Sequence, residues 1–147
     1  MAGIEQSATR VAEVLEAADA RTGVMLEIVA PDIANQLYAL VRETRFRGPV
    51  IYASFLHAEL LVVRRADGEA QTLALLEGVP VQAAAFAKDA RASHVGLGLH
   101  TLTPEFVRAL QLEGLKVFVY TVNDPRDIEW VESLKVDGVI SDFPDRI

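Results

Sequence analysis

Leu115-Lys-Val-Phe-Val-Tyr-Thr-Val-Asn-Asp-Pro-Arg-Asp-Ile-Glu-Trp130, followed after a short gap by Val136-Asp-Gly-Val-Ile-Ser-Asp-Phe-Pro-Asp145, is the stretch that decides the fold. Lys116 to Val122 is a near-continuous apolar run, the pattern of a parallel strand covered on both faces. Asn123 or Asp124 caps the helix that follows, with Pro125 at its first position and Trp130, Val131 and Leu134 expected on its inner face. A second short strand then ends in an acidic turn. Strand, helix and strand in this order make a right-handed βαβ unit, read here as the closing section of a (β/α) barrel.

The same alternation runs back through the chain and predicts parallel βα units throughout. Val11, Val14, Leu15 and Ala18 mark one face of a helix from about Glu5 to Ala20. Val24 to Val29 follows as a strand. Pro31 suits the first turn of a second helix, with Ala34, Leu37, Tyr38 and Val41 on its apolar face. Val50 to Phe55 is a strand, His57 to Arg65 a helix, and Thr72 to Leu76 a third strand. Residues 80–92 are Ala-rich and partly helical, and His94 to His100 is a short strand interrupted by two glycines. Thr103 and Pro104 start a helix that Gly114 ends. No linker, repeat or low-complexity tract breaks the chain, so residues 1–147 read as one domain.

Composition narrows the function. The 147 residues suffice for one core but fall short of the ~250 of a complete eight-stranded barrel. A net charge of −7 argues against nucleic acid or an anionic membrane as partner. The absence of cysteine excludes disulfides, Cys-type zinc sites and thiol catalysis. Neither a secretory signal nor a membrane span is legible, so the expected setting is the cytoplasm. Gly96-Leu-Gly98 lacks the third glycine of a dinucleotide fingerprint. Arg42, Arg45 and Arg47 read as a cluster answering the helix dipole at a helix end.

The C-terminal residues resemble the glycerophosphodiester phosphodiesterase family, in which a Trp-Thr-Val-Asn strand precedes a Val-Asp-Gly-Ile-Ile-Thr-Asp-Tyr-Pro-Asp segment. Tyr120 stands for the family's Trp, Ser141 for its Thr and Phe143 for its Tyr. Leu102-Thr-Pro-Glu-Phe-Val-Arg-Ala-Leu110 is similar to the preceding family helix, Ser54-Phe55 to its Ser-Phe strand end, and Leu26-Glu-Ile-Val29 to its Ile-Glu-Ile-Lys strand, with Val29 replacing the Lys. The resemblance runs from about residue 8 to the end. It implies a partial (β/α) TIM-type barrel of five or six parallel strands, helices on the convex side, with the first three barrel strands absent.

The resemblance also implies hydrolysis of glycerophosphodiesters to glycerol 3-phosphate and an alcohol. In the family a His-Arg-Gly and a His-Asp supply general acid and base, while a Glu-x-Asp and the strand glutamate bind a divalent metal, Mg or Ca. Here the His pair and the Glu-x-Asp are missing. Glu27 is the one carried-over metal ligand, and Ser54, Tyr120 and Asn123 are the carried-over candidates for substrate contact. His57, His100 and Asp142 are expected on the same rim. One carboxylate cannot satisfy an ion that takes six or more oxygen ligands, so no metal is expected on this chain alone. Two readings stand: a family phosphodiesterase inactive by itself, or a non-catalytic binding or assembly protein derived from the same barrel. Two open sheet edges, at Val24–Val29 and Gly138–Ser141, and uncovered inner positions among Leu26, Ile28 and Val119 predict self-association or binding of a chain that supplies the missing strands.

Overall fold

A computed structural model describes residues 2–18 and 21–147, with the side chains of the first helix from Arg10 onward. The elements alternate as the sequence predicts: α1 (Ala2–Ala17), β1 (Val24–Glu27), α2 (Ala34–Glu43), β2 (Val50–Ser54), α3 (His57–Ala66), β3 (Gln71–Leu76), α4 (Ala85–Asp89), β4 (His94–Gly98), α5 (Pro104–Leu112), β5 (Lys116–Tyr120), α6 (Pro125–Ser133) and β6 (Gly138–Val139). Ala20, the expected end of the first helix, lies outside the described residues. The strands form one sheet in the order β1-β2-β3-β4-β5-β6, every described pair parallel. This sequential order, with helices in the crossovers, is a curled half-barrel and not a doubly wound sheet, whose strand order would reverse. Six strands fill six of the eight places of a complete barrel, so two are open and not the three expected. No helix among the described residues is long and apolar enough to cross a membrane.

Two apolar layers cover the sheet. The larger packs the helices onto the convex face and includes Ile28, Tyr52, Ala74, Val95, Leu97, Val117 and Val119. The smaller lies on the concave face: Ala53, Leu73 and Leu75, with Ile51, Phe118 and Tyr120 against them. This corrects the expected phase. Ile28 and Val119 are 1% and 0% exposed beneath helices, and Leu26 packs with them, so these three are not the uncovered positions. Alternation along a strand puts Met25 and Glu27 on the concave side instead.

Glycines allow the concave layer to close on itself. A Cβ at Gly96 would lie 2.7 Å from a Leu75 methyl and 2.8 Å from a Leu73 methyl, and one at Gly138 would meet the Phe118 ring. Bulky neighbours therefore lean across the glycine positions and fill the space a layer of opposing strands would otherwise occupy.

Helix boundaries follow local chemistry, with one exception. Thr103 Oγ1 accepts from Phe106 N at 3.1 Å, and Asp124 Oδ1 accepts from Arg126 N at 2.9 Å, each cap preceding a proline at the first turn. Asp124, not Asn123, is thus the cap of α6. Gly114, at φ +77, is the left-handed residue after α5. Pro31 does not open α2; the helix begins at Ala34 without a cap from its own N-cap residue. The cap comes from α3: the buried Glu59 carboxylate accepts from Asp32 N at 2.9 Å and Ala34 N at 3.0 Å. At the other end, Arg47 donates to the carbonyls of Thr44 and Phe46, as its position near the α2 C-terminus predicts. Two faces differ from expectation: Val14 on α1 is 56% exposed, and on α6 Trp130 is 39% exposed while Ile128 takes the inner place.

Two stability measurements test this packing. Glu59→Ala leaves two backbone N–H groups at the α2 start unpaired and is expected to cost about 1–3 kcal/mol, read from the urea midpoint at unchanged slope. His94 is buried in β4 against Phe118, with its Nδ1 2.8 Å from Ser93 Oγ. Burial, aided by the Lys116 charge, holds the imidazole below its ordinary 6.5. The stability contributed by the neutral ring is complete above about pH 6.5 and is lost as pH falls through that value toward the depressed folded one. Urea titrations between pH 7.5 and 5 are expected to show this loss, and His94→Gln is expected to reduce it.

Candidate functional site

All six strands run the same way, so their C-terminal ends gather at one mouth, where barrel folds carry their chemistry. Concave alternation places Glu27 at the end of β1, Glu77 just beyond β3, His100 beyond β4 and Tyr120 at the end of β5. Glu77 follows Leu73 and Leu75 on the inward side. It was not among the candidates read from sequence, although a carboxylate continuing an inward alternation past a strand end is the signal that finds it.

These four side chains act on one another. Glu77 Oε2 lies 3.0 Å from His100 Nε2, with the two side chains 47% and 72% exposed, so the pair is screened by water and weak. Gly98 makes room for it: a Cβ there would sit 3.0 Å from Glu77 Oε2 and 3.1 Å from the His100 ring. The Tyr120 hydroxyl donates to Leu76 O at 3.1 Å, and its ring meets Phe55 edge-on at 6.0 Å. Burial of that hydroxyl, then its contact with Glu77 and the negative charges of Glu77 and Glu27, raise its pKa. Tyr120 is therefore a neutral hydrogen-bonding group that feels the charges of Glu77 and Glu27. It is not a latent phenolate.

The remaining candidates hold the loops that frame the mouth. Ser54 is fully buried; its hydroxyl donates to Ile28 O at 2.6 Å and accepts from Leu56 N at 2.9 Å, tying the ends of β1 and β2 together. His57 Nε2 donates to Leu75 O at 2.8 Å, with its ring against Phe86. Asn123 Oδ1 accepts from Ser141 Oγ at 3.1 Å and Asp142 N at 3.0 Å, while its Nδ2 donates to Asp142 Oδ2 at 2.9 Å. Arg146 donates to the Asn123 carbonyl at 3.2 Å. Asn123 and Asp142 thus clasp the end of β5 to the segment after β6. The structure brings Glu27, His100 and Tyr120 together with Glu77, and places Ser54, His57, Asn123 and Asp142 in the surrounding scaffold.

The residues present do not by themselves make a divalent metal site. Among the described residues no group of three or more His, Cys, Asp or Glu side chains is placed to hold an ion. Glu27 offers one exposed carboxylate, and Glu77 is already turned to His100. A cleft of about 600 Å³ lined by Tyr38, Arg42, Arg47, Asp67 and Glu69 lies at the opposite, N-terminal ends of β2 and β3. It has no connection to the mouth. Ser54→Ala leaves the Leu56 amide and the Ile28 carbonyl without their partner and is expected to cost about 1–3 kcal/mol in urea unfolding. A change in the unfolding slope would instead point to altered compactness.

Residues 10–146 match the glycerophosphoryl diester phosphodiesterase family. The chain is 27% identical over 120 residues to a glycerophosphodiester phosphodiesterase of Caldanaerobacter subterraneus subsp. tengcongensis, a match covering 82% of this chain and 49% of the relative. It is 27% identical over 143 residues to a glycerophosphodiester phosphodiesterase of Bacillus altitudinis, covering 91% of this chain and 58% of the relative. The chain thus spans about half the length of the curated relatives it matches. Among solved structures, one from Galdieria sulphuraria, assigned as a glycerophosphodiester phosphodiesterase, superposes with a TM-score of 0.80 at 21% identity, over 92% of this chain and 59% of that one. One from Silicibacter pomeroyi with a similar assignment gives 0.79 at 24% identity, over 92% and 54%. These likenesses show the fold. With the family match over nearly the whole length, the chain belongs to the glycerophosphoryl diester phosphodiesterase family.

Proposed function

We propose that the chain contributes the C-terminal portion of a phosphodiesterase site, acting on glycerophosphodiesters to yield glycerol 3-phosphate and an alcohol when the remaining barrel strands are present, and that these residues alone do not turn the substrate over. Glu27 carries the reading. It occupies the glutamate position of the family's Ile-Glu-Ile-Lys strand, and the structure puts its exposed carboxylate on the concave side at the mouth end of β1. In the family that glutamate joins a Glu-x-Asp on a strand this chain lacks, and two histidines it also lacks. General acid and base groups each contribute roughly 10²–10⁴-fold, so the missing pair alone removes most of the catalysis.

The groups that are present suit substrate positioning. Neutral Tyr120, fixed by Leu76 O, offers a hydroxyl beside the carboxylates, in the place of the family's Trp. His100, with its Nε2 against Glu77, presents an exposed ring at the same mouth. Phe55 and Tyr120 form an apolar wall on the β2 side of the mouth. The cysteine-free, acidic chain is assigned to the cytoplasm in the same proposal.

Hydrolysis of glycerophosphocholine in the presence of Mg²⁺ or Ca²⁺ tests the reading. The chain alone is expected to give no turnover above the uncatalysed rate. Joined to the first two β/α units of the Bacillus altitudinis relative, it is expected to hydrolyse the substrate, with Glu27→Gln lowering kcat at least roughly 10²-fold. Turnover by the chain alone, or turnover in the joined protein that Glu27→Gln leaves intact, refutes the proposal.

A further inference from the structure

We infer that the open side of the half-barrel is a docking surface for two additional parallel β/α units carried on polypeptide outside these 147 residues, which enter between β6 and β1 and close the sheet. The inference rests on the barrel family and its geometry, and not on the proposed chemistry.

Curvature fixes the size of the opening. The six strands superpose on a solved barrel with a TM-score of 0.80 over 92% of this chain, so they bend as strands of the closed fold do. In an eight-stranded barrel the space from β6 to β1 then spans three interstrand spacings of about 4.8 Å, roughly 14 Å. That admits two strands. A second copy of this chain brings six strands already bonded to one another, four more than the opening takes, so a copy is the wrong occupant. The matched relatives carry the missing length, since this chain covers only 49% and 58% of them.

The β1 edge is prepared for pairing. Val24 N and Ile28 N donate to Pro49 O and Ala53 O on β2. In a parallel ladder the intervening odd residues then turn their amides to the other side, so the Met25 and Glu27 N–H groups face the open edge. Residues Val24–Glu27 carry no Lys or Pro to discourage pairing. Six of the eleven large exposed hydrophobics among the described residues, Val14, Met25, Val29, Trp130, Phe143 and Ile147, belong to the first or last unit of the sheet; the other five lie in loops and on α5. The concave face between the edges is already filled by Leu73, Leu75 and Phe118, so incoming strands and their helices would pack at the edges and not in the interior.

The test co-expresses the full chain with a tagged polypeptide holding the first two β/α units of the Bacillus altitudinis relative. A one-to-one complex by light scattering is expected, with exchange of the Met25 and Glu27 amides slowed at least tenfold and that of Leu26 little changed. Met25→Pro removes an edge amide that β2 does not use and is expected to abolish capture; Met25→Lys serves the same purpose if the proline variant does not fold. A fusion of the same units ahead of residue 1 provides a second readout, the slowed exchange at Met25 and Glu27. A homodimer that persists in the presence of the added units overturns the inference, as does a monomer that captures nothing and whose fusion leaves those two amides unprotected. A complex that forms but hydrolyses nothing leaves this inference standing and removes the catalytic proposal.

Discussion

The structure depends on how a curved parallel sheet fills its concave side. In a closed barrel, side chains from strands across the interior meet there. This sheet has six strands, so the layer must close sideways, from neighbours on the same curve. Leu73, Leu75 and Phe118 do so because Gly96 and Gly138 present no Cβ where their side chains lie. The result is a small second core that leaves Leu73 and Leu75 buried without an opposing wall. Large residues on β3 and β5 and glycines on β4 and β6 are therefore one device. They explain why two glycines interrupt an otherwise apolar strand at His94–Gly98.

The mouth is held by a separate set of interactions, mostly from side chains to backbone. Ser54 ties β1 to β2, His57 ties α3 to β3, and Asn123 ties β5 to the segment after β6. Each joins neighbouring units where the ladder ends and backbone groups would otherwise lack partners. Glu59 does the same for the start of α2. Residues that resemble substrate contacts in sequence can thus be the braces of the loops that carry such contacts. The polar groups on the inward alternation at the mouth are Glu27, Glu77, His100 and Tyr120.

Element order and type were legible because the two periods, 2.0 and 3.6, alternate cleanly and capping residues punctuate them. Thr103-Pro104 marked one helix start to the residue, and Pro125 marked the first turn of α6 while its cap stayed open between Asn123 and Asp124. The start of α2 was not legible, because its cap comes from Glu59, 25 residues beyond Ala34. Which face of β1 looks inward was misread for a related reason. A strand apolar on both sides carries no phase of its own, and only pairing with β2 and β3 assigns Met25 and Glu27 to the concave side. Trp130 shows the limit of ranking by hydrophobicity: the α6 stripe passes through Ile128 and Val131, and the largest residue stands at its margin. Glu27 and Tyr120 were singled out by position in the family pattern, and both lie at the mouth. Glu77 was missed because it matched no motif, although it continues the alternation of Leu73 and Leu75.

The two faces of the sheet carry separate apolar layers of very different size. The large convex core under the helices draws its residues from all along the chain, from Leu15 to Val131. The concave core closes through its glycines. The packing of these six units is thereby distinct from any pairing along the free edge of β1, where Glu27 lies. A carboxylate at the last residue of an open edge strand has one neighbouring strand, β2, and room for another. In the family's pattern the partners of that glutamate come from the strands that would fill that room. On the proposal made above, the open edge of the sheet is also the edge beside Glu27, so a strand paired there would bring that carboxylate new neighbours.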